Sequence, residues 1–346
     1  MEPQTTLLEK LPAQNPASAE PIVKALVQGG PATITQLIGQ VGEQFGDPAG
    51  VKATYALHGA THYACRPGAE AERKMMAETL AAALAAEHSA DLKSLVCQQL
   101  QLCGGVEQVP ALAALLGHEA LCEPATQALA AIAGASAASV SSVAAALRAA
   151  LPNAQGKPRV TIITALGRLG DSAAADEIRK SAASADPDLR RAAWYALGNI
   201  GDVASADALL KAAEGEPSFE RTQATDACLR LARRLGERGR TAEAERIVRQ
   251  LLARRKAPED VHDRLAALEC LSKVSWQGAM PDVTAAIASE DLTYRTAAAR
   301  IALELGRAIQ KTQPDEAAKL LKKVLEATEE EAVRRQAEAS LGGQGK

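Results

Sequence analysis

The stretch DPDLRRAAWYALGNIGD, residues 186–202, decides the fold of this chain. Asp186 and Pro187 are residue types favoured at the N-cap and first position of an α-helix. Gly201 and Asp202 form a turn signal at the other end, and we expect Asp202 to cap a second helix. Between these ends, apolar residues recur at i, i+3, i+4 and i+7, the spacing of one helical face. They are Ala193, Ala196, Leu197 and Ile200. The stretch therefore predicts a helical hairpin.

The hairpin pattern recurs along the chain. Residues 159–178 align without a gap on residues 190–209, at an offset of 31 positions. Such self-similarity is typical of repeat proteins, in which each hairpin buries its apolar face against its neighbours. Sliding the same template along the chain finds a leucine in one anchor position of successive units, at spacings of 29 to 43 residues. The anchors are Leu57, Leu100, Leu129, Leu166, Leu197, Leu229, Leu271, Leu303 and Leu341.

The composition favours the same interpretation. Apolar residues make up 47% of the 346 residues, but aromatic residues only 2%, so Ala, Leu, Ile and Val must build the interior. Strong helix formers dominate, and no alternating Val/Ile-rich run bounded by turn residues predicts a strand. We therefore predict an all-α chain that forms an elongated array and needs no single central core.

These residues resemble HEAT repeats, in the short form common in bacterial proteins and in bilin-lyase-type arrays. The match is most specific over residues 156–214. The resemblance implies a right-handed α-solenoid of about eight to ten HEAT-like hairpins over residues 21–346. Residues 221–256 form an Arg-rich hairpin that is similar to a tetratricopeptide repeat. Residues 1–20, rich in Pro, Gln, Ala and Ser, are expected to be a flexible tail.

The charge distribution is uneven. The net charge is −3, which argues against a chain that binds nucleic acid through its overall charge. Residues 221–256, however, hold eleven basic against four acidic side chains. Some of these charges, such as Asp226 with Arg230, can pair within one helix. Second helices line the concave surface in HEAT arrays, so the resemblance makes five outward-facing basic residues candidates for contacting an acidic partner or phosphates. They are Lys180, Lys211, Arg246, Arg249 and Arg254.

The dipeptide His118-Glu119 raises the question of a metal site. Deoxyhypusine hydroxylase, a HEAT-like enzyme, holds two iron ions with His-Glu pairs that recur in several repeats. This sequence contains one such pair and five histidines in total. Alignment at an offset of 68 places His118 in an inter-repeat turn, Glu119 at the first position of a helix and Cys122 in the core. We therefore predict a structural turn there.

His58, His62 and Cys65 lie at i, i+4 and i+7 and share one helical face. Two histidines and a thiol suit zinc, but the sequence does not identify a fourth ligand. A disulfide between Cys65 and Cys103 is a further alternative. The third alternative is packing of this face against the next repeat, and we favour it.

We predict a non-catalytic scaffold that binds a protein or peptide on its concave surface and needs no cofactor. One alternative is a HEAT-like enzyme, of the metal-dependent hydroxylase, lyase or DNA-glycosylase type, although the aromatic residues are too few and scattered for a glycosylase. A second alternative is binding of phosphate or nucleic acid through the Arg-rich segment.

The sequence has no apolar stretch of membrane-spanning length and no signal peptide at its start, so we expect no membrane partner. A soluble, cytoplasmic protein is the default expectation. A periplasmic or exported protein is expected if a leader has been removed before Met1.

Overall fold

The computed structural model describes residues 4–43 and 47–342, and this part of the chain contains helices and turns but no strand. The prediction of an all-α fold is confirmed. The chain divides into two compact units, residues 1–169 and 170–346. No helix within the described ranges is both long and apolar enough to cross a membrane.

Unit 1 consists of successive antiparallel helix pairs. After the short helix α1, the pairs are α2–α3, α4–α5, α6–α7 and α8–α9, and α10 follows them. Short 3-10 turns at 106–108 and 151–153 join some of these helices. The helices are α1 (Gln4–Glu9), α2 (Pro16–Gln28), α3 (Gly30–Glu43), α4 (Pro48–Ala64), α5 (Glu70–Ala85), α6 (Ala90–Cys103), α7 (Val109–Ala113), α8 (Cys122–Ala133), α9 (Ala137–Ala150) and α10 (Gly156–Leu169).

Unit 2 repeats the same arrangement. It begins with the short helix α11 and continues with the pairs α12–α13, α14–α15, α16–α17 and α18–α19, which are followed by α20. The helices are α11 (Ala175–Arg179), α12 (Pro187–Ile200), α13 (Ala206–Ala212), α14 (Phe219–Glu237), α15 (Thr241–Arg254), α16 (Val261–Val274), α17 (Trp276–Ile287), α18 (Leu292–Ile309), α19 (Pro314–Ala327) and α20 (Glu331–Gly342).

The stretch at 186–202 folds as its pattern predicts. The Asp186 carboxylate accepts hydrogen bonds from the backbone N–H groups of Asp188 and Leu189, at 2.9 and 3.4 Å, and so caps α12. The helix ends at Gly201, whose φ of 74° lies in the left-handed region that glycine tolerates best. The apolar face is fully buried, at Ala193, Ala196, Leu197 and Ile200.

The capping role expected for Asp202 is wrong. Asp202 precedes a 3-10 turn at Val203–Ser205, and its side chain makes no capping hydrogen bond. Its carboxylate instead accepts from the Arg179 guanidinium at 2.7 Å and from the Ser205 hydroxyl. A charged guanidinium is a stronger donor than a backbone N–H, so the ion pair is the better use of this carboxylate.

The helix predicted to begin at Glu119 begins at Cys122 instead. The observed start makes Pro124 the third helical residue, in the first turn, where its missing N–H removes no helix hydrogen bond. Residues 118–121 form a turn instead, in which the Leu121 N–H donates to the His118 carbonyl at 3.0 Å. The other part of the prediction is confirmed, since Cys122 is completely buried.

The anchor leucines follow the predicted repeat. Eight of the nine are buried, from Leu57 to Leu303. Leu341 is half-buried. It lies near the end of α20, where no further described hairpin covers it. The Arg-rich hairpin predicted at 221–256 corresponds to α14 and α15.

The N-terminal segment contains more secondary structure than its composition suggests. Residues 4–9 form α1, and α2 begins at Pro16. Leu7 and Leu11 are buried. The flexibility expected for residues 1–20 stays a prediction.

Candidate functional site

The basic side chains singled out on α15 lie on its outer face. Ala244, Ile247, Val248 and Leu251 form the buried face of this helix. Arg246 and Arg249 project from the opposite side, where their side chains are both 44% exposed. This separation follows from the helical period, which places residues three and four apart on one face. The predicted orientation of these arginines is therefore correct.

Each of these two arginines reaches a neighbouring second helix. Arg246 Nη1 lies 3.0 Å from Asp207 Oδ1 on α13. Arg249 Nη1 lies 2.8 Å from Asp282 Oδ2 on α17, and its second terminal nitrogen donates to the Gly278 carbonyl at 2.7 Å. Ion pairs thus link α13, α15 and α17. We call this set of charged side chains the α15 ladder.

Arg254 extends the α15 ladder toward the end of α13. Its Nη1 lies 2.9 Å from Glu214 Oε1 and donates to the Leu210 carbonyl at 3.1 Å.

The two candidate lysines are placed differently from these arginines. Lys180 pairs with Glu177 in its own turn. Lys211 is exposed, and no carboxylate of the described residues lies within ion-pair distance of it.

The positive excess of residues 221–256 is largely neutralised by residues outside the segment. Eight of its eleven basic side chains form ion pairs with carboxylates. Five carboxylates beyond the segment take part and lower the local excess from seven charges to two. The predicted pair of Asp226 with Arg230 is present at 2.6 Å. The five outside carboxylates are Asp207, Glu214, Asp260, Asp263 and Asp282.

Two arginines of the segment are buried and serve the fold. Arg221 Nη2 lies 2.8 Å from Asp260 Oδ1. Arg255 Nε lies 2.9 Å from Asp263 Oδ2, and its terminal nitrogen donates to the Ala213 carbonyl at 2.6 Å. Because a buried charge requires a partner, this network fixes the loops before α14 and α16.

Sequence reasoning missed the carboxylates of the α15 ladder. Asp207 precedes Arg246 by 39 positions, and Asp282 follows Arg249 by 33. These separations lie within the range of the repeat spacings, so the repeat itself carried a usable signal. Side chains at matching positions of consecutive second helices become neighbours when the hairpins stack.

His58 contacts the next repeat, as its position beside the core stripe predicts, and both His58 and His62 are exposed. His58 Nδ1 lies 3.3 Å from the Gln99 side-chain oxygen on α6. The two imidazole rings meet edge to face, with centroids 4.5 Å apart. Cys65 is a free thiol that donates to the Leu102 carbonyl at 3.5 Å, and Cys103 is also free. Within the described ranges, no three His, Cys, Asp or Glu side chains converge as metal ligands.

His118 and Glu119 lie in the exposed turn before α8. The His118 carbonyl accepts from the Cys122 N–H at 2.8 Å, which closes this turn. The Cys122 thiol donates to the Glu119 carbonyl at 3.4 Å. Both observations assign the segment a structural role in joining α7 to α8.

The cysteine thiols are suited to packing. Burial raises the pKa of Cys97, Cys103 and Cys228 to about 12 and that of Cys270 to about 11. Burial also raises the pKa of the half-buried Cys65. Because the thiolate is the nucleophilic and metal-binding form, these cysteines remain protonated at neutral pH and act as small apolar side chains.

Comparison with known proteins agrees with the repeat architecture. Residues 143–230 match the family model described as HEAT repeats. Residues 143–230 are therefore similar to HEAT repeats, and the described part of the chain is all-α. No curated protein matches it.

Two solved structures share the fold at low sequence identity. Importin β is 14% identical to this chain, with a TM-score of 0.58. The match covers 98% of this chain and 51% of the importin β chain. A Kap121p mutant is 12% identical to this chain, with a TM-score of 0.53. The match covers 97% of this chain and 45% of the Kap121p chain. This chain spans about half the length of both proteins.

A subunit of the complex of CpcE and CpcF, of phycocyanin lyase from a Nostoc species, is also similar. It is 20% identical with a TM-score of 0.37, covering 68% of this chain and 94% of its own. That TM-score is too low to support a conclusion.

Proposed function

We propose that this chain is a non-catalytic scaffold that binds a protein or peptide partner through the surface of its second helices. The observation that carries the proposal is the α15 ladder, where three consecutive second helices present charged side chains. Second helices line the concave side in the HEAT family. A partner seated there would meet both charge signs at a fixed spacing.

The ladder is suited to selecting a partner by charge pattern. The Asp207 side chain is 85% exposed, while Arg246 and Arg249 are each 44% exposed. A partner carboxylate can compete for these guanidinium groups, and a partner cation can bind Asp207. Lys180 and Lys211 add positive charge on earlier second helices. Rim charges of this kind favour correct partners and orientation more than they add affinity.

The test is affinity purification from the native organism with wild-type protein and with a double variant, Arg246→Glu with Arg249→Glu. We expect the partner recovered with wild-type protein to be lost, because the variant reverses two charges of the ladder. Circular dichroism shows whether the double variant folds. The control is Lys24→Glu with Lys93→Glu, which reverses two charges on the first helices α2 and α6, outside the surface of the second helices. An unchanged set of partners in the ladder variant would contradict the proposal.

The alternative of phosphate or nucleic-acid binding has less support. Such binding releases counterions, so its affinity falls steeply as salt rises. Most cations of the Arg-rich segment already have carboxylate partners, which a phosphate would have to displace. We expect weak binding of polyphosphate at physiological salt. Tight binding that weakens steeply with salt would favour this alternative.

A further inference from the structure

Three neighbouring hairpins of unit 2 differ in length. Beyond its anchor leucine, α14 continues for eight residues, α16 for three and α18 for six. At the rise of an α-helix, about 1.5 Å per residue, the end of α16 lies about 7.5 Å short of the end of α14 and about 4.5 Å short of the end of α18, measured from the anchor leucines. A short hairpin therefore lies between two longer ones.

This difference in length creates a cavity at the hairpin tip. The cavity has a volume of about 830 Å³. The turn between α16 and α17 lies at its base, and the last turns of α18 form one wall. The α14–α15 hairpin contributes Thr241 to the lining. Its helix α14 packs closely against the end of α16, since a Cβ added to Gly236 would meet Val274 at 3.1 Å. We call this cavity the tip pocket.

Part of the tip pocket lining is a cluster of large apolar side chains. Trp276 and Ile301 are half-buried, and Leu305 and Ile309 are buried, with all four side chains lining the cavity. The volume is within the range of about 300–1,000 Å³ common for ligand pockets. An apolar group that enters the pocket would remove further apolar surface from water, which favours binding.

The charges around the tip pocket are already paired. Lys273 pairs with Glu269. Arg300 donates to both carboxylate oxygens of Glu330, at 3.0 and 2.9 Å. Glu304 lies 3.6 Å from Arg307. The charged lining residues are two cations and two carboxylates, so the rim has no net charge that would favour a phosphate or carboxylate ligand over an uncharged one.

Uncharged polar groups complete the rim. The Thr241 hydroxyl and the Gln277 amide line the pocket, and neither side chain makes a hydrogen bond within the described part of the chain. They are free to bond a peptide group. We propose that the tip pocket binds an uncharged aliphatic side chain presented by a peptide segment. That the aliphatic group belongs to a peptide rests on the proposed scaffold function, but the pocket is separate from the α15 ladder.

The two tryptophans allow a direct test. Trp276 lines the tip pocket, whereas Trp194 is buried elsewhere and its indole N–H donates to the Ala182 carbonyl at 3.0 Å. Protein labelled with 5-fluorotryptophan gives one ¹⁹F signal for each, and Trp276→Phe assigns them. The probe is N-acetyl-leucine amide. We expect the Trp276 signal to shift saturably at millimolar probe, as suits so small a ligand, while Trp194 stays constant.

Two further probes and two variants complete the experiment. N-acetyl-aspartate amide and inorganic phosphate should bind at least tenfold more weakly than the leucine probe. Ala308→Phe, which fills the pocket from the exposed side of α18, should weaken the leucine probe at least tenfold. Ala145→Phe, on an exposed position of α9, is the matched control and should leave it unchanged. No Trp276 shift, an equal response to the charged probes or unchanged binding in Ala308→Phe would overturn the proposal.

The ladder variant separates the two proposals. Arg246→Glu with Arg249→Glu should leave the Trp276 response intact. Two results together would support both sites. Ala308→Phe would lose the Trp276 response, and the ladder variant would keep this response but lose its partner. Failure of the ladder test with an intact Trp276 response would contradict the scaffold surface alone.

Discussion

At the scale of single residues, the buried charges of unit 2 decide stability more than the exposed ones. Arg221 and Asp260 are 8% and 5% exposed, and they pair with each other across the start of α14 and α16. Removing one partner leaves the other charge buried without compensation. Exposed pairs contribute little because water and salt screen them.

We expect Arg221→Ala to lower the free energy of unfolding by about 3–5 kcal/mol. Arg230→Ala, which removes the more exposed pair with Asp226, should lower it by less than about 1 kcal/mol. Urea denaturation followed by circular dichroism measures both. Equal losses in the two variants would show that burial of the Arg221 pair does not matter.

The buried thiols predict loss of stability at high pH. The pKa of Cys228 is about 12 in the folded chain, against an ordinary value of 9.0. Between these values the unfolded chain releases the thiol proton and the folded chain keeps it, so rising pH favours unfolding. The contribution of the buried thiol is complete below pH 9 and is lost as the pH rises toward 12.

Wild-type protein should therefore lose stability faster than Cys228→Ala between pH 9 and pH 11, by about 1 kcal/mol per pH unit. Urea denaturation at several pH values gives the two slopes. The comparison uses slopes because the variant also changes core packing at every pH. Parallel slopes would mean that the folded chain ionises Cys228 near its ordinary pKa.

At the scale of helices, close contact between neighbouring first helices depends on small residues. A Cβ added to Gly198 in α12 would meet the Ala227 carbonyl oxygen of α14 at 2.7 Å. Backbone cannot yield as a flexible side chain can, so the two helices would have to separate. Gly39 in α3 is also helical, but a Cβ there would meet nothing within 4 Å.

We expect Gly198→Ala to destabilise the chain by about 1–3 kcal/mol through this clash. Gly39→Ala should stabilise it by up to about 1 kcal/mol, because alanine has the higher helix propensity. Thermal unfolding of the two variants provides the comparison. A stabilising effect of both would place α12 and α14 farther apart than described.

At the scale of the whole molecule, a repeat array distributes its stability among neighbours. Each hairpin contacts mainly the hairpins beside it, so damage at one end need not reach distant repeats. Ala337 on α20 is fully buried against the last hairpin of unit 2. It is therefore a suitable position for a local perturbation.

Ala337→Asp places a carboxylate in the hydrophobic core of unit 2. We expect faster hydrogen exchange in α18, α19 and α20, with α12 and α14 keeping their protection. Mass spectrometry of deuterated peptides resolves these segments. A uniform loss of protection across unit 2 would show that the unit opens as one cooperative body.

The helical hairpins, their repetition and most of the core could be predicted from the sequence. Leu197 and its equivalents could be recognised because helical periodicity is local, and a stacked repeat must bury its apolar stripe. Helix starts were less secure, as Cys122 shows, because the hydrogen bonds of the first turn are not specified by the spacing of apolar residues. The capping error at Asp202 arose because its partner, Arg179, lies on another helix.

The ion pairs of the Arg-rich segment with carboxylates outside it became visible in the folded chain and were not predicted from the sequence. The number of cations in this segment can be read from the sequence. Whether Arg246 is free or paired depends on which carboxylate the packing of the hairpins places beside it. The tip pocket likewise arises from the different lengths of three adjacent hairpins. Both features depend on distances between residues 30 or more positions apart. Helical periodicity does not specify these distances, whereas the stacking of the hairpins does.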